Sequence, residues 1–182
     1  ALNLGTVVEI HDLFYSTPAR LKFLKSDRAE TQAIFDSVKR LAMSNPHVRI
    51  LLQDISKTPE KVFLDLPEEK TSIQYFDRIE KILGEEFSSN CVKLDSEKDD
   101  LSVFGYASLP TYSHGSSTNQ YFFVNGRSVK DKFLLGALRA AYLDFISKDR
   151  FPAAVIYIKC NPSYVDVNVH PMKSEVRFQC PK

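Results

Sequence analysis

The chain holds 182 residues, 43% of them hydrophobic and 26% charged, with 24 basic against 23 acidic side chains and a formal net charge of +1. This is ordinary globular composition, long enough for one domain or two small ones, and it argues neither for nor against nucleic acid, so any anion-binding surface must be local. Three cysteines without a C-x-x-C pair fit a reducing compartment, no apolar run approaches the length of a membrane span, and no signal peptide is visible.

Residues 6–14 alternate Val7, Val8, Ile10 and Leu13 with polar side chains and predict a strand. Ser16-Thr17-Pro18 is a helix start, with hydroxyls able to cap and a proline at the first turn, and a short helix over 18–25 follows. A longer helix over 28–44 sets Ile34, Val38, Leu41 and Ala42 on one stripe, and Asn45-Pro46 ends it. Residues 48–52 and 62–66 read as a hairpin around Lys57-Thr58-Pro59. The polar stretch 67–70 is the expected boundary between two subdomains, 1–67 and 71–182.

The second part opens with a helix over 72–83, with Ile73, Phe76, Ile79, Ile82 and Leu83 inward and Gly84 as its stop. Strands are expected at 91–94 and 101–107, joined through Asp99-Asp100, and residues 111–118 form a Ser/Thr/Gly/His-rich loop. A strand at 120–124 ends in Asn125-Gly126, a strong turn signal. A helix over 130–147 places Phe133, Leu134, Ala137, Leu138, Ala141 and Phe145 inward, and 153–158 is an apolar strand. Helices and strands mixed through both parts give an α+β or α/β class, with no internal repeat.

The chain ends on Val165-Asp166-Val167-Asn168-Val169-His170-Pro171-Met172-Lys173-Ser174-Glu175-Val176-Arg177-Phe178. Valines alternating with polar residues describe a half-buried strand, Pro171 stops it for want of an N–H, and Lys173 follows in the turn before a second short strand. His170 has no nucleophile or carboxylate partner at motif spacing and reads as a turn element; His11, His47 and His114 are scattered, and no metal site is expected.

Three segments together resemble the MutL family of DNA mismatch repair ATPases. They are Gly5-Thr6 on through Asp12-Leu13-Phe14-Tyr15-Ser16-Thr17-Pro18-Ala19-Arg20-Leu21-Lys22-Phe23-Leu24, then Tyr121-Phe122-Phe123-Val124-Asn125-Gly126-Arg127, then the closing motif. Ser16 departs from the asparagine usual in the family. The Glu-x-x-x-Asn helix, Asp-x-Gly-x-Gly turn and glycine-rich lid of a GHKL-type ATP site do not occur here. The resemblance therefore implies a fragment of α+β fold: the end of the GHKL ATPase subdomain, then a transducer-like subdomain with the ribosomal-protein-five domain-2-like βαβ fold.

The same resemblance assigns roles. Lys173 matches the lysine that reaches the γ-phosphate of ATP, where a charged hydrogen bond contributes about 1.5–3 kcal/mol and steadies charge that builds during phosphoryl transfer. Thr6 matches a hydroxyl near the adenine. Lys22, Lys25, Arg40, Lys132 and Lys182 match positions lining a groove that binds DNA without sequence specificity, and Arg127 and Lys130 cluster with Lys132 around Asn125-Gly126. A charge on a helix is more often simply its wet face; only the resemblance turns these residues toward DNA. Arg20, among Phe14, Tyr15 and Phe23, reads as structural.

The implied parent is a homodimeric, slow ATPase that uses ATP and Mg, binds the DNA backbone, and links mismatch recognition by MutS to a downstream endonuclease and helicase. It would be cytoplasmic in a bacterium or nuclear in a eukaryote, with no membrane partner, and this piece alone would hold no nucleotide. The alternatives are a stand-alone nucleic-acid-binding module of ribosomal-protein-like fold, or a type II topoisomerase transducer.

Overall fold

The computed structural model describes residues 5–56, 58–69, 72–166 and 177–178. The chain divides into two units, residues 1–37 and 38–182.

In the first unit, α1 (Pro18–Leu21) is a single turn opened by its proline, whose fixed φ suits a first helical position. Ahead of it Asp12 and Phe14 take positive φ, and the amides of Tyr15 and Thr17 donate to the carbonyls of Asp12 and Phe14. The strand expected over 6–14 is not formed among the described residues, and Val7, Val8 and Ile10 stay exposed. Alternation supplies an apolar face, but a strand also needs a neighbouring edge to take its N–H and C=O groups. The short helix likewise stops at Leu21 rather than running to residue 25.

Helix α2 (Asp27–Ser44) starts with Asp27 and Glu30 at its positive end. It stops where the Asn45 side-chain amide donates to the Leu41 carbonyl, 3.0 Å away. Its expected stripe is only partly inward: Ala42 is buried, whereas Ile34 and Leu41 are exposed. Strands β1 (Ile50–Asp54) and β2 (Lys61–Leu66) pair antiparallel, with a register shift at Leu52/Gln53.

Helix α3 (Ser72–Leu83) ends at Gly84, whose φ of 94° is open to glycine and costly for other residues. That glycine also begins α4 (Glu85–Ser89), a turn the sequence pattern did not announce. Strands β3 (Cys91–Lys98) and β4 (Leu101–Ser108) form a hairpin through Asp99, and β5 (Ser113–His114) lies within the expected loop. Then come β6 (Gln120–Val124), β7 (Arg127–Val129), α5 (Lys132–Ala141), β8 (Phe151–Pro152), β9 (Ala154–Lys159), β10 (Val165–Asp166) and β11 (Arg177–Phe178). Strand β5 pairs with β8, and β10 with β11.

Five strands make the main sheet, in the order β3-β4-β9-β6-β7. Strands β6 and β9 are parallel; the other neighbours are antiparallel. Period two then assigns two faces. Ala107, Phe122, Val124, Ala154, Ile156 and Ile158 pack with Leu134 and Leu138 of α5. On the other face, register sets Phe104 opposite Tyr157 and Tyr157 opposite Phe123. Their rings stack in a row across three strands, with centroids 5.0 and 4.8 Å apart. Near-continuous apolar strands with a period of two thus produced an aromatic ladder, a cross-strand contact that adds to area burial.

Helix α5 is shorter than its periodicity suggested. It closes at Tyr142, whose hydroxyl donates to the Ser108 carbonyl on β4, so the backbone turns away before residue 145. Phe133 and Phe145, expected inward, are 73% and 69% exposed. Among the described residues no helix is long and apolar enough to cross a membrane.

Gly105 sits within β4 at φ +140°, opposite Ile156, and a Cβ there would run into the Val155 carbonyl oxygen. Backbone strain and a collision with fixed backbone add, so Gly105→Ala should cost about 3 kcal/mol or more. Thermal melting reads the loss directly; an unchanged midpoint would show that β9 can yield.

Candidate nucleic-acid interface

The hairpin β6–β7 is built for precise placement. Val124 pairs with Arg127, leaving a two-residue loop in which Asn125 (φ 48°) and Gly126 (φ 80°) both take the positive φ of a type I′ turn. The turn is tied to β9. The Asn125 amide donates to the Ile158 carbonyl at 2.9 Å, and its side-chain oxygen accepts from the Cys160 amide at 3.0 Å. Asn125 therefore sets both the turn and its anchorage, a second role that sequence did not disclose.

Arg127 opens β7 and Lys132 opens α5, with Lys130 between them; all three are exposed. Asp131 is the cap of α5. One of its carboxylate oxygens accepts from the amides of Phe133 and Leu134, at 2.8 and 3.0 Å. The negative charge is engaged at the helix start, which leaves the hairpin-to-helix connection with a net basic outer surface. The signal was present in the sequence as an aspartate directly before an apolar helix.

The other expected basic residues fall elsewhere. Lys22 and Lys25 are exposed in the unit of residues 1–37, and the Lys25 amide donates to Glu30 at 2.8 Å. Arg40 is half-buried, with its guanidinium 4.6 Å from the centre of the Tyr121 ring, a cation–π contact that occupies one face of the group. Lys182 and Lys173 lie outside the described residues, as does the stretch from Val167 to Val176 of the closing motif. Thr6 lies in an exposed stretch without secondary structure. The described residues thus offer an adenine nucleotide one exposed hydroxyl and do not fit it by themselves. Among them, no group of His, Cys, Asp or Glu is gathered to hold a metal.

Two arginines outside the expected set serve the fold. Arg139 donates to the Lys148 carbonyl and lies over the Phe151 ring, and Arg150 donates to the Ser113 carbonyl. A cleft of about 970 Å³ lies on the sheet face opposite α5, among Phe76, Phe104, Tyr106 and Tyr157. Its rim sets Lys93 and Lys159 against Asp77 and Asp95, and Lys93 pairs with Asp95 at 3.2 Å. That rim has no single sign and does not select an anion. The connection bearing Arg127, Lys130 and Lys132 carries mainly one sign, and β7, the turn and the capped helix hold it.

Residues 79–182 match the family model described as DNA mismatch repair protein, C-terminal domain. The chain is 48% identical over 181 residues to the DNA mismatch repair protein MutL of Bartonella tribocorum, and 46% identical over 182 residues to that of Brucella abortus. In both cases the whole chain aligns with 29% of the relative's length. Among solved structures it resembles the N-terminal domain of a DNA repair protein, with TM-score 0.77 and 22% identity over 91% of this chain and 53% of that one. It also resembles the Aquifex aeolicus MutL ATPase domain complexed with ADP, with TM-score 0.60 and 24% identity over 84% of this chain and 52% of that one. These likenesses establish the α+β fold.

Asp131→Ala should destabilise the protein by about 1 kcal/mol through loss of the cap, whereas Asp131→Asn, an equally good cap, should not. Chemical denaturation of the two variants separates a capping role from a purely electrostatic one.

Proposed function

The chain belongs to the MutL family of DNA mismatch repair proteins, and from that premise we propose that it is part of an ATP-gated clamp that couples mismatch recognition to strand incision. The single observation that carries this reading is the identity of nearly half its residues, along the whole chain, with bacterial MutL proteins. The chain spans 29% of those relatives' length, so the clamp belongs to a longer protein. Residues 1–67 would close the ATPase subdomain, and 71–182 would form the second. Partners would be MutS, a downstream endonuclease and helicase, and a second copy of the same protein, in the cytoplasm.

In this reading Lys173 would hold the terminal phosphate of ATP, and Thr6 would serve the adenine end. ATP with Mg, held chiefly by other parts of the longer protein, would supply the terminal phosphate on whose oxygens charge builds during hydrolysis. The chain's part is to hold an ammonium at a fixed point and to present Arg127, Lys130 and Lys132 to the DNA backbone. Lys22, Lys25, Arg40 and Lys182 are further candidates for contact with phosphate. The Arg40 guanidinium has the Tyr121 ring on one side. No base-reading motif accompanies these residues, so binding is to phosphate and is independent of sequence.

Two measurements test the proposal. In the full-length protein, Lys173→Ala should remove most ATP turnover while leaving circular dichroism and melting temperature unchanged; undiminished turnover would sink the phosphate role. Replacing Arg127, Lys130 and Lys132 with alanine should weaken duplex binding equally for all sequences. It should also flatten the dependence of log affinity on log salt by about 0.9 for each phosphate contact removed. An unaltered slope would place the DNA elsewhere.

A further inference from the structure

Arg78, in the middle of α3, is 1% exposed, an unusual place for a guanidinium. Its Nε donates to the Ala42 carbonyl at the end of α2 (2.8 Å). One terminal nitrogen donates to the carbonyls of Pro46 (3.3 Å) and Pro67 (2.6 Å), and the other to that of Val48 (2.9 Å). The four acceptors come from the last turn of α2, the loop before β1 and the residue just after β2. They are the carbonyls that a helix end and two turns leave over. Burial pulls the Arg78 pKa below its ordinary value, and the neighbouring charge of Glu69 opposes that. Glu69 is itself buried, and its amide donates to the same Pro46 carbonyl at 2.8 Å.

A second tie lies close by. The Tyr157 hydroxyl, on β9, donates to the Met43 carbonyl at 3.0 Å. Tyr157 is the middle ring of the aromatic ladder, stacked on Phe123 of β6, and β6 runs directly into the Asn125-Gly126 turn.

We propose that Arg78 is a positioning residue that welds residues 38–67 to α3 and the sheet, so that the end of α2, β1–β2 and the second subdomain move as one body. A planar fork with five donors suits this task, because it can reach carbonyls in several directions from one buried point, which lysine cannot. A displacement of the end of α2 would then reach the sheet, and the basic connection after β6, without being absorbed on the way. This consequence rests on the reading of the chain as a nucleotide-gated clamp; the weld itself does not.

Hydrogen exchange on the full chain, without nucleotide or DNA, tests it. Arg78→Gln should speed exchange about tenfold or more at the amides of Asn45, Val48 and Glu69 and across β1–β2, while amides of β4, β6 and β9 change little. Arg78→Lys should restore part of the protection. Tyr157→Phe should loosen the end of α2 alone, by a smaller factor. Equal acceleration throughout the sheet would reduce Arg78 to a contributor to global stability and overturn the proposal, as would unchanged exchange at β1–β2. If Arg78→Gln does not fold, the same pattern in Arg78→Lys decides. Regional exchange as expected, alongside intact turnover in Lys173→Ala, would keep the weld and discard the ATP reading.

Discussion

The second unit is organised around a cation placed where no water can reach it. Arg78 has four carbonyl oxygens within hydrogen-bond distance, all at or near element ends, and one of them, that of Pro46, also accepts from the Glu69 amide. Burying a charge costs several kcal/mol, and among the described residues the compensation comes from neutral acceptors and the nearby Glu69. Such an arrangement tolerates little movement, because losing one acceptor leaves both a carbonyl and part of a charge without a partner. The end of α2, the loop at 46–48 and the end of β2 therefore take one arrangement relative to α3.

The sheet uses a different economy on each face. Against α5 it packs mostly aliphatic side chains and Phe122 with Leu134 and Leu138, and on the other side it presents large rings in register. Tyr157 joins the two kinds of contact. Its ring stacks within the ladder and its hydroxyl reaches backbone in α2, with burial pushing the phenol well above its ordinary pKa. It stays a neutral hydrogen-bond donor throughout the physiological range.

The basic connection shows how little sequence a local site needs. Between Val124 and Leu134 the chain makes a tight turn, a short strand and a helix start, set by few residues: Asn125 and Gly126 in the turn, Val129 buried in the strand and Asp131 at the cap. The lysines and the arginine among them are placed by neighbours that carry no positive charge. The mixed rim of the aromatic cleft shows the contrary case, a concave surface whose charges cancel.

Much of this was legible from residue order. The α+β class, helices expected at 28–44 and 72–83 and found at 27–44 and 72–83, the hairpin strands and the Asn125-Gly126 turn follow from periodicity and turn chemistry, which act over a few residues. The three-part motif also gave the family, because it pairs rare local wordings in a fixed order. What sequence could not give was any outcome that depends on a distant partner. The stretch 6–14 alternates like a strand and pairs with nothing among the described residues; α5 ends early because Tyr142 finds Ser108; Arg40 meets an aromatic ring instead of water. Arg78 is the clearest instance. In the sequence it is one more charged residue on a helix, and only the meeting of α2, β1 and β2 around that helix makes it the buried centre of the unit. Local chemistry determined which elements form, and contacts between residues far apart in the chain decided where they end and which charges leave the solvent.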